Sequence, residues 1–142
     1  MPSFLSGRYS AVKVRKKLYV TAARGYAPDA MFTPDDTDGK GRPYPYMVFR
    51  NLEALGVASV ADAAKVGDIV SDIKEGKHAD VYTVGVIEGS SELALTREEY
   101  EALSPAERSD RCARVERTFR EAGADAVVRT ISELPALLRC VR

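Results

Sequence analysis

Strand-like and helix-like runs take turns along this chain, and that alternation limits its fold more than any other feature. An apolar stretch of strand length at 63–67 ends in "KVG", and a run with helical spacing follows from Ser71 to about Ala79. "VYTVGVI" (81–87) is the clearest strand, being rich in β-branched residues. Charged helical segments come next, then a last strand, "AVVRT", and a last helix, "SELPALLRCV". Strands separated by helices need crossover connections, which argues for an α/β fold: a parallel sheet covered by helices. At 142 residues the chain fits one domain.

The first third is less regular. "SFL" reads as a short strand and "AVKVRKKLYVTAA" as a helix ending near Gly25. "AMFT" (30–33) is a further short strand candidate, followed by a polar loop, "PDDTDGKGRPYP". A helix is expected from near Pro43, with Val48, Leu52 and Leu55 in helical spacing and Gly56 as its stop. Three capping boxes mark later helix starts: Thr96 with Glu99, Ser104 with Glu107, and Thr130 with Glu133. The helix after Ser104 carries Cys112, Val115, Phe119 and Ala122 on one stripe, and Gly123 closes it.

Charge and cysteine usage narrow the function classes. Lys and Arg total 21, as do Asp and Glu, so the formal net charge is zero. That argues against a general attraction to nucleic acid or to an anionic membrane. No apolar run is long enough to span a bilayer. The basic cluster follows the short apolar start, which is the wrong order for a signal peptide, so a cytoplasmic protein is expected. Cys112 and Cys140 match no metal or redox spacing and are expected to be ordinary packing residues.

Open parallel sheets bind ligands at the carboxyl ends of their strands. Asp68 falls at such an end, and Asp72 in the first turn of the next helix. Two carboxylates so placed can converge on one hard cation. Mg²⁺ is satisfied by one or two protein carboxylates, keeping waters and a substrate phosphate. Gly67 is expected to let the backbone turn sharply before Asp68. The alternative is purely structural: Ser71 as an N-cap, Asp72 complementing the helix dipole, and Asp68 as a turn residue. Arg42, between glycine and proline in "GKGRPYP", can meet a phosphate with two parallel hydrogen bonds, or can be a surface arginine in a turn. Lys40 beside it is expected in solvent, and "GKG" completes no nucleotide loop. Tyr44 and Tyr46 flank Pro45, and packing of the loop against the sheet is expected of them more than lining of a pocket. His78 reads as an exposed helix-end histidine. Ser90 and Ser91 could offer hydroxyls near the site, or simply lead to the Thr96 cap.

Together "TPDD", "GRPYPYM", "KVGDIVSDIKEG" and "TVGVIEGSSELALT" resemble the C-terminal half of phosphonoacetaldehyde hydrolase (phosphonatase), of the haloacid dehalogenase superfamily. The resemblance covers residues 21–142, whereas 1–20 match poorly. It implies a single partial core domain of Rossmann-like type, without a cap domain. It implies Mg²⁺-dependent cleavage of the carbon–phosphorus bond of phosphonoacetaldehyde to acetaldehyde and phosphate. Asp68 matches the metal-binding aspartate and Asp72 the second acid that helps hold the metal site. Arg42 matches the basic residue that neutralises the phosphoryl group and orients the nucleophile. In "SGRYS", Ser6 matches the hydroxyl of the phosphate-binding turn and Tyr9 its tyrosine, with Arg8 where the family has glycine.

The family's nucleophilic aspartate ends a first strand, and its cap domain carries a lysine that forms a Schiff base with the aldehyde. Neither has a counterpart here. Asp29 precedes a strand candidate rather than ending one, and Lys13, Lys16 and Lys17 read as a solvated face. The chain alone is therefore expected to be inactive, as a phosphonatase needing those groups from elsewhere, a Mg²⁺- and phosphate-binding remnant, or a truncated fragment. In the superfamily the first strand pairs beside the strand ending at Asp68. Its lack would leave apolar strand edges open, which predicts a homo-oligomer or a partner completing the sheet.

Overall fold

The structure is a computed structural model, and it describes residues 27–141. The expectations for "SFL", the helix before Gly25, Ser6, Tyr9 and Lys13, Lys16 and Lys17 lie outside the described residues.

Three parallel strands form the sheet in sequence order: β1 (Ala64–Gly67), β2 (Tyr82–Val86) and β3 (Ala126–Val128). Val66 pairs with Val84, and Gly85 with Val127. The helices are α1 (Tyr46–Ala54), α2 (Val70–His78), α3 (Arg97–Ala102), α4 (Pro105–Glu121) and α5 (Leu134–Cys140). Strand alternation sorts the side chains between two faces. On one, Ile73 of α2 and Val115 and Phe119 of α4 bury one cluster with Ile87. On the other, Val84, Val86, Ala126 and Val128 pack under Leu134 of α5. A third cluster joins Val48 and Leu52 of α1 to Ala79 and Val81. A sheet covered on both faces needs strands that are apolar in both directions, which is why "VYTVGVI" reads as a nearly continuous apolar run.

All three capping boxes are present, at Thr96, Ser104 and Thr130. Gly56 and Gly123 take the left-handed conformation just past α1 and α4, as helix stops require. Four expectations are corrected. "AMFT" is not a strand: Thr33 instead opens a 3₁₀ turn, Pro34–Thr37, with Asp36 bonding back to its backbone and hydroxyl. Helix α1 starts at Tyr46 rather than near Pro43, because the Arg42–Tyr44 stretch turns away toward α2. Cys140 is exposed, whereas Cys112 is buried as expected. Tyr44 and Tyr46 are exposed at 58% and 43%, so they do not pack the loop against the sheet.

Candidate functional site

The carboxyl ends of β1 and β2 lead directly into the site. Gly67 ends β1, Asp68 follows, and α2 begins two residues later. Gly67 is required by contact rather than by a sharp turn: a Cβ there would lie 2.2 Å from the Asp72 Cβ. Its φ is not in the left-handed region, so the expected role of backbone freedom is replaced by one of close approach. Ser71 is not the N-cap either. Ile69 takes that position without a side-chain bond, and Glu92, from the loop after β2, accepts the Val70 N–H at 3.0 Å.

Asp68 and Asp72 come together as their spacing suggests. The Asp68 carboxyl is held above its ordinary value, first by partial burial and then by the neighbouring Asp72 charge. The Ser91 backbone N–H donates to it and works the other way. The loop "GSSE" therefore contributes an amide to Asp68 rather than a hydroxyl. The Ser90 hydroxyl is used within the loop, accepting from the Leu93 N–H.

Asp72 is buried at 2% exposure and engaged on both oxygens. Arg42, thirty positions upstream, sets its Nη1 2.5 Å from Oδ1, and Lys65 Nζ lies 3.4 Å from the same oxygen. Oδ2 accepts the Asp68 backbone N–H at 3.4 Å. The structure thus brings Arg42, Asp68 and Asp72 into one place. The Arg42 loop is tied down at a second point, where the His78 Nδ1 lies 2.8 Å from the Pro43 carbonyl oxygen. His78 is exposed at the end of α2, as expected. Lys40 is exposed, with its ammonium over the Tyr46 ring.

Two further charged residues, given no role by the sequence motifs, belong to this site. Lys65 on β1 and Glu75 on α2 are 2% and 1% exposed, and Lys65 Nζ is 2.9 Å from Glu75 Oε2. The Lys65 ammonium faces the Glu75 carboxylate and stabilises its charge. Burial raises the Glu75 pKa and Lys65 opposes the rise. The signal was available: Lys65 interrupts an apolar strand, and Glu75 shares a helix face with Asp72 at i+3. At the same end of the sheet, Glu88 accepts from Tyr100 and from Arg129, cross-linking α3 to the ends of β2 and β3. Burial, Cys112 and Glu88 push the Tyr100 hydroxyl up to about 12.

Two crowded carboxylates, one with a raised pKa, suit a divalent cation, whose charge would relieve their repulsion. Among the described residues no group of three or more His, Cys, Asp or Glu is placed to hold a metal. The Asp68 and Asp72 carboxylates would suit a cation that keeps most of its ligands as water or substrate oxygen, as Mg²⁺ does.

The chain is similar to known proteins over most of its length. The chain is 47% identical over 120 residues to a phosphonoacetaldehyde hydrolase of Lysinibacillus sphaericus, covering 84% of this chain and 45% of that one. It is 48% identical over 119 residues to one from Bacteroides fragilis, again covering 84% and 45%. The chain thus spans less than half the length of these curated relatives. A solved phosphonoacetaldehyde hydrolase-like protein from Oleispira antarctica matches with a TM-score of 0.86 at 30% identity, over 94% of this chain and 48% of that one. A haloacid dehalogenase-like protein from Agrobacterium tumefaciens matches at 0.70 and 18% identity, over 99% and 55%, which shows the fold alone. No protein-family model matches. The fold is haloacid dehalogenase-like, and the chain resembles part of the phosphonoacetaldehyde hydrolases. No helix among the described residues is long and apolar enough to cross a membrane.

Proposed function

We propose that this chain carries the cation- and phosphate-binding part of a phosphonoacetaldehyde hydrolase-type site and does not turn substrate over by itself. The observation that supports this reading most is the meeting of Arg42 with Asp72 beside Asp68, in a chain nearly half identical to those hydrolases. Asp68 is the direct cation ligand, because Asp72 already faces two cationic side chains. Asp72 supports Asp68 by accepting the Asp68 backbone N–H and keeps Arg42 at the mouth of the site. Arg42 then clamps the phosphoryl oxygens of a phosphonate or phosphate. When bound, Mg²⁺ supplies positive charge to those same oxygens. The nucleophilic carboxylate and the Schiff-base lysine of the family have no match among these residues, and covalent steps would need them from another segment or chain.

The test is to incubate the purified chain with phosphonoacetaldehyde and Mg²⁺, follow acetaldehyde release, and titrate Mg²⁺ by calorimetry. No turnover is expected, together with Mg²⁺ binding that disappears in Asp68→Asn. Turnover that Asp68→Asn abolishes would overturn the reading of an incomplete site, and absence of Mg²⁺ binding would overturn the site itself.

A second feature favours a partner. Among the described residues β1 is an edge strand, pairing only with β2. Such an edge can accept a further strand from another copy of this chain or from a partner. Light scattering at micromolar concentration checks this; a clean monomer would count against self-association. A cytoplasmic location completes the reading, and fractionation of cells expressing the protein tests it.

A further inference from the structure

The Lys65–Glu75 pair lies under the proposed cation site, shut away from solvent, and the reading above gives it no work. Strand alternation directs Lys65 to the face that α2 covers, beneath Asp72. Helix α2 comes very close there: a Cβ on Gly76 would lie 2.3 Å from the Thr83 Oγ1 and 3.0 Å from Lys65 Cβ and Cγ. The lysine stem is thus clamped between helix and sheet, and its ammonium reaches Glu75 at 2.9 Å and Asp72 at 3.4 Å.

We propose that Lys65, anchored by Glu75, is a positioning residue that sets the Asp72 carboxylate so that it supports Asp68. The contacts follow in order. Glu75 holds the ammonium, the ammonium sits on Asp72 Oδ1, and Asp72 Oδ2 takes the Asp68 N–H. Arg42 shares Oδ1. When Arg42 turns to a phosphoryl group, Lys65 remains on Asp72, so that carboxylate keeps a cation without competing for the arginine. Two opposing effects meet here. The Lys65 charge repels a bound cation, while its geometry preserves the support for Asp68. Because Glu75, 2.9 Å away, offsets the lysine charge, orientation is the effect that prevails.

The proposal rests on the cation-site reading, and two measurements separate their fates. The variant Lys65→Met/Glu75→Leu removes both charges and keeps an apolar fill, a kind of replacement buried pairs often tolerate. The first measurement needs no metal: the Asp68 backbone amide resonance by NMR. It should shift in the pair variant as it does in Asp72→Asn. The second is Mg²⁺ affinity by calorimetry, expected to fall about 10- to 100-fold, the usual effect of losing support behind a metal ligand. In an Asp72→Asn background the pair replacement should cause no further loss. A folded pair variant with an unmoved Asp68 amide, unchanged Mg²⁺ affinity, or a loss that adds to that of Asp72→Asn would overturn the proposal. If the natural chain binds no Mg²⁺, the cation reading fails and the amide measurement alone decides this one. If the pair variant does not fold, Glu75→Gln serves instead: the amide should shift because Lys65 has lost its anchor, and an unmoved amide refutes the idea.

Discussion

Replacing Lys65 with methionine keeps most of the side-chain volume and removes one buried charge. Glu75 is then left at 1% exposure, with Arg42, itself engaged on Asp72, as a cation that still stabilises its ionised form. Removing one partner of a buried pair costs about 3–5 kcal/mol, because the other charge stays buried. A domain of this size has on the order of 5–15 kcal/mol in all. At about 4 °C per kcal/mol the melting temperature should fall by roughly 12–20 °C. The pH dependence identifies the cause. An unfolded Glu75 titrates near 4.5, while burial raises the folded value and Lys65 is what restrains it. Without Lys65 the folded value climbs further. Between the two values the folded state holds a proton that the unfolded state has released, so stability falls by about 1.4 kcal/mol per pH unit. Below pH 4.5 both states are protonated, and the Glu75 contribution to the defect vanishes. Urea unfolding followed by circular dichroism from pH 4 to 8, on the natural chain and Lys65→Met, measures this. Parallel stability curves, or a loss under about 1 kcal/mol at neutral pH, would refute the view that Lys65 neutralises Glu75.

Other perturbations probe the rest of the site. Burial and Asp72 hold the Asp68 pKa up, so its ionised form is disfavoured in the folded state. Asp68→Asn should therefore raise the melting temperature of the metal-free chain at pH 7, with the gain fading as pH falls through the raised folded value toward 3.8 and gone below it, where both states are protonated; calorimetry showing a loss at pH 7 would contradict this. Gly67→Ala forces a Cβ to within 2.2 Å of the Asp72 Cβ, and should cost about 1–3 kcal/mol in urea unfolding and displace Asp72. Unperturbed Mg²⁺ binding in that variant would sink the contact argument. His78→Ala removes the contact to the Pro43 carbonyl at an exposed site. Stability should change by under about 0.5 kcal/mol, while amide exchange at Tyr44, whose N–H bonds Gly41, should quicken. Unchanged exchange would mean that His78 does not restrain the Arg42 loop.

Where a feature depended on neighbours along the chain, the sequence by itself determined it. The strand at 64–67, the three capping boxes, the stops at Gly56 and Gly123 and the stripe of Cys112, Val115 and Phe119 all follow from side chains within a few residues of one another. The pairing of Asp68 with Asp72 was legible for the same reason, since four residues across a strand end bring both to one helix start. What tertiary structure alone decided depends on partners distant in sequence. Arg42 meets Asp72 only because the loop before α1 folds back onto α2, with His78 holding the Pro43 carbonyl. "AMFT" carries strand-like residues, yet Thr33 bonds within its own turn, because a strand exists only where another strand pairs with it. Glu92 caps α2 from another loop, where local reading pointed to Ser71. Lys65 is a charge on an otherwise apolar strand, and only the closeness of α2 to the sheet at Gly76 makes it a buried ion pair beneath Asp72. A long side chain takes its meaning from what covers it, and that is a property of packing between segments rather than of the order of residues within one.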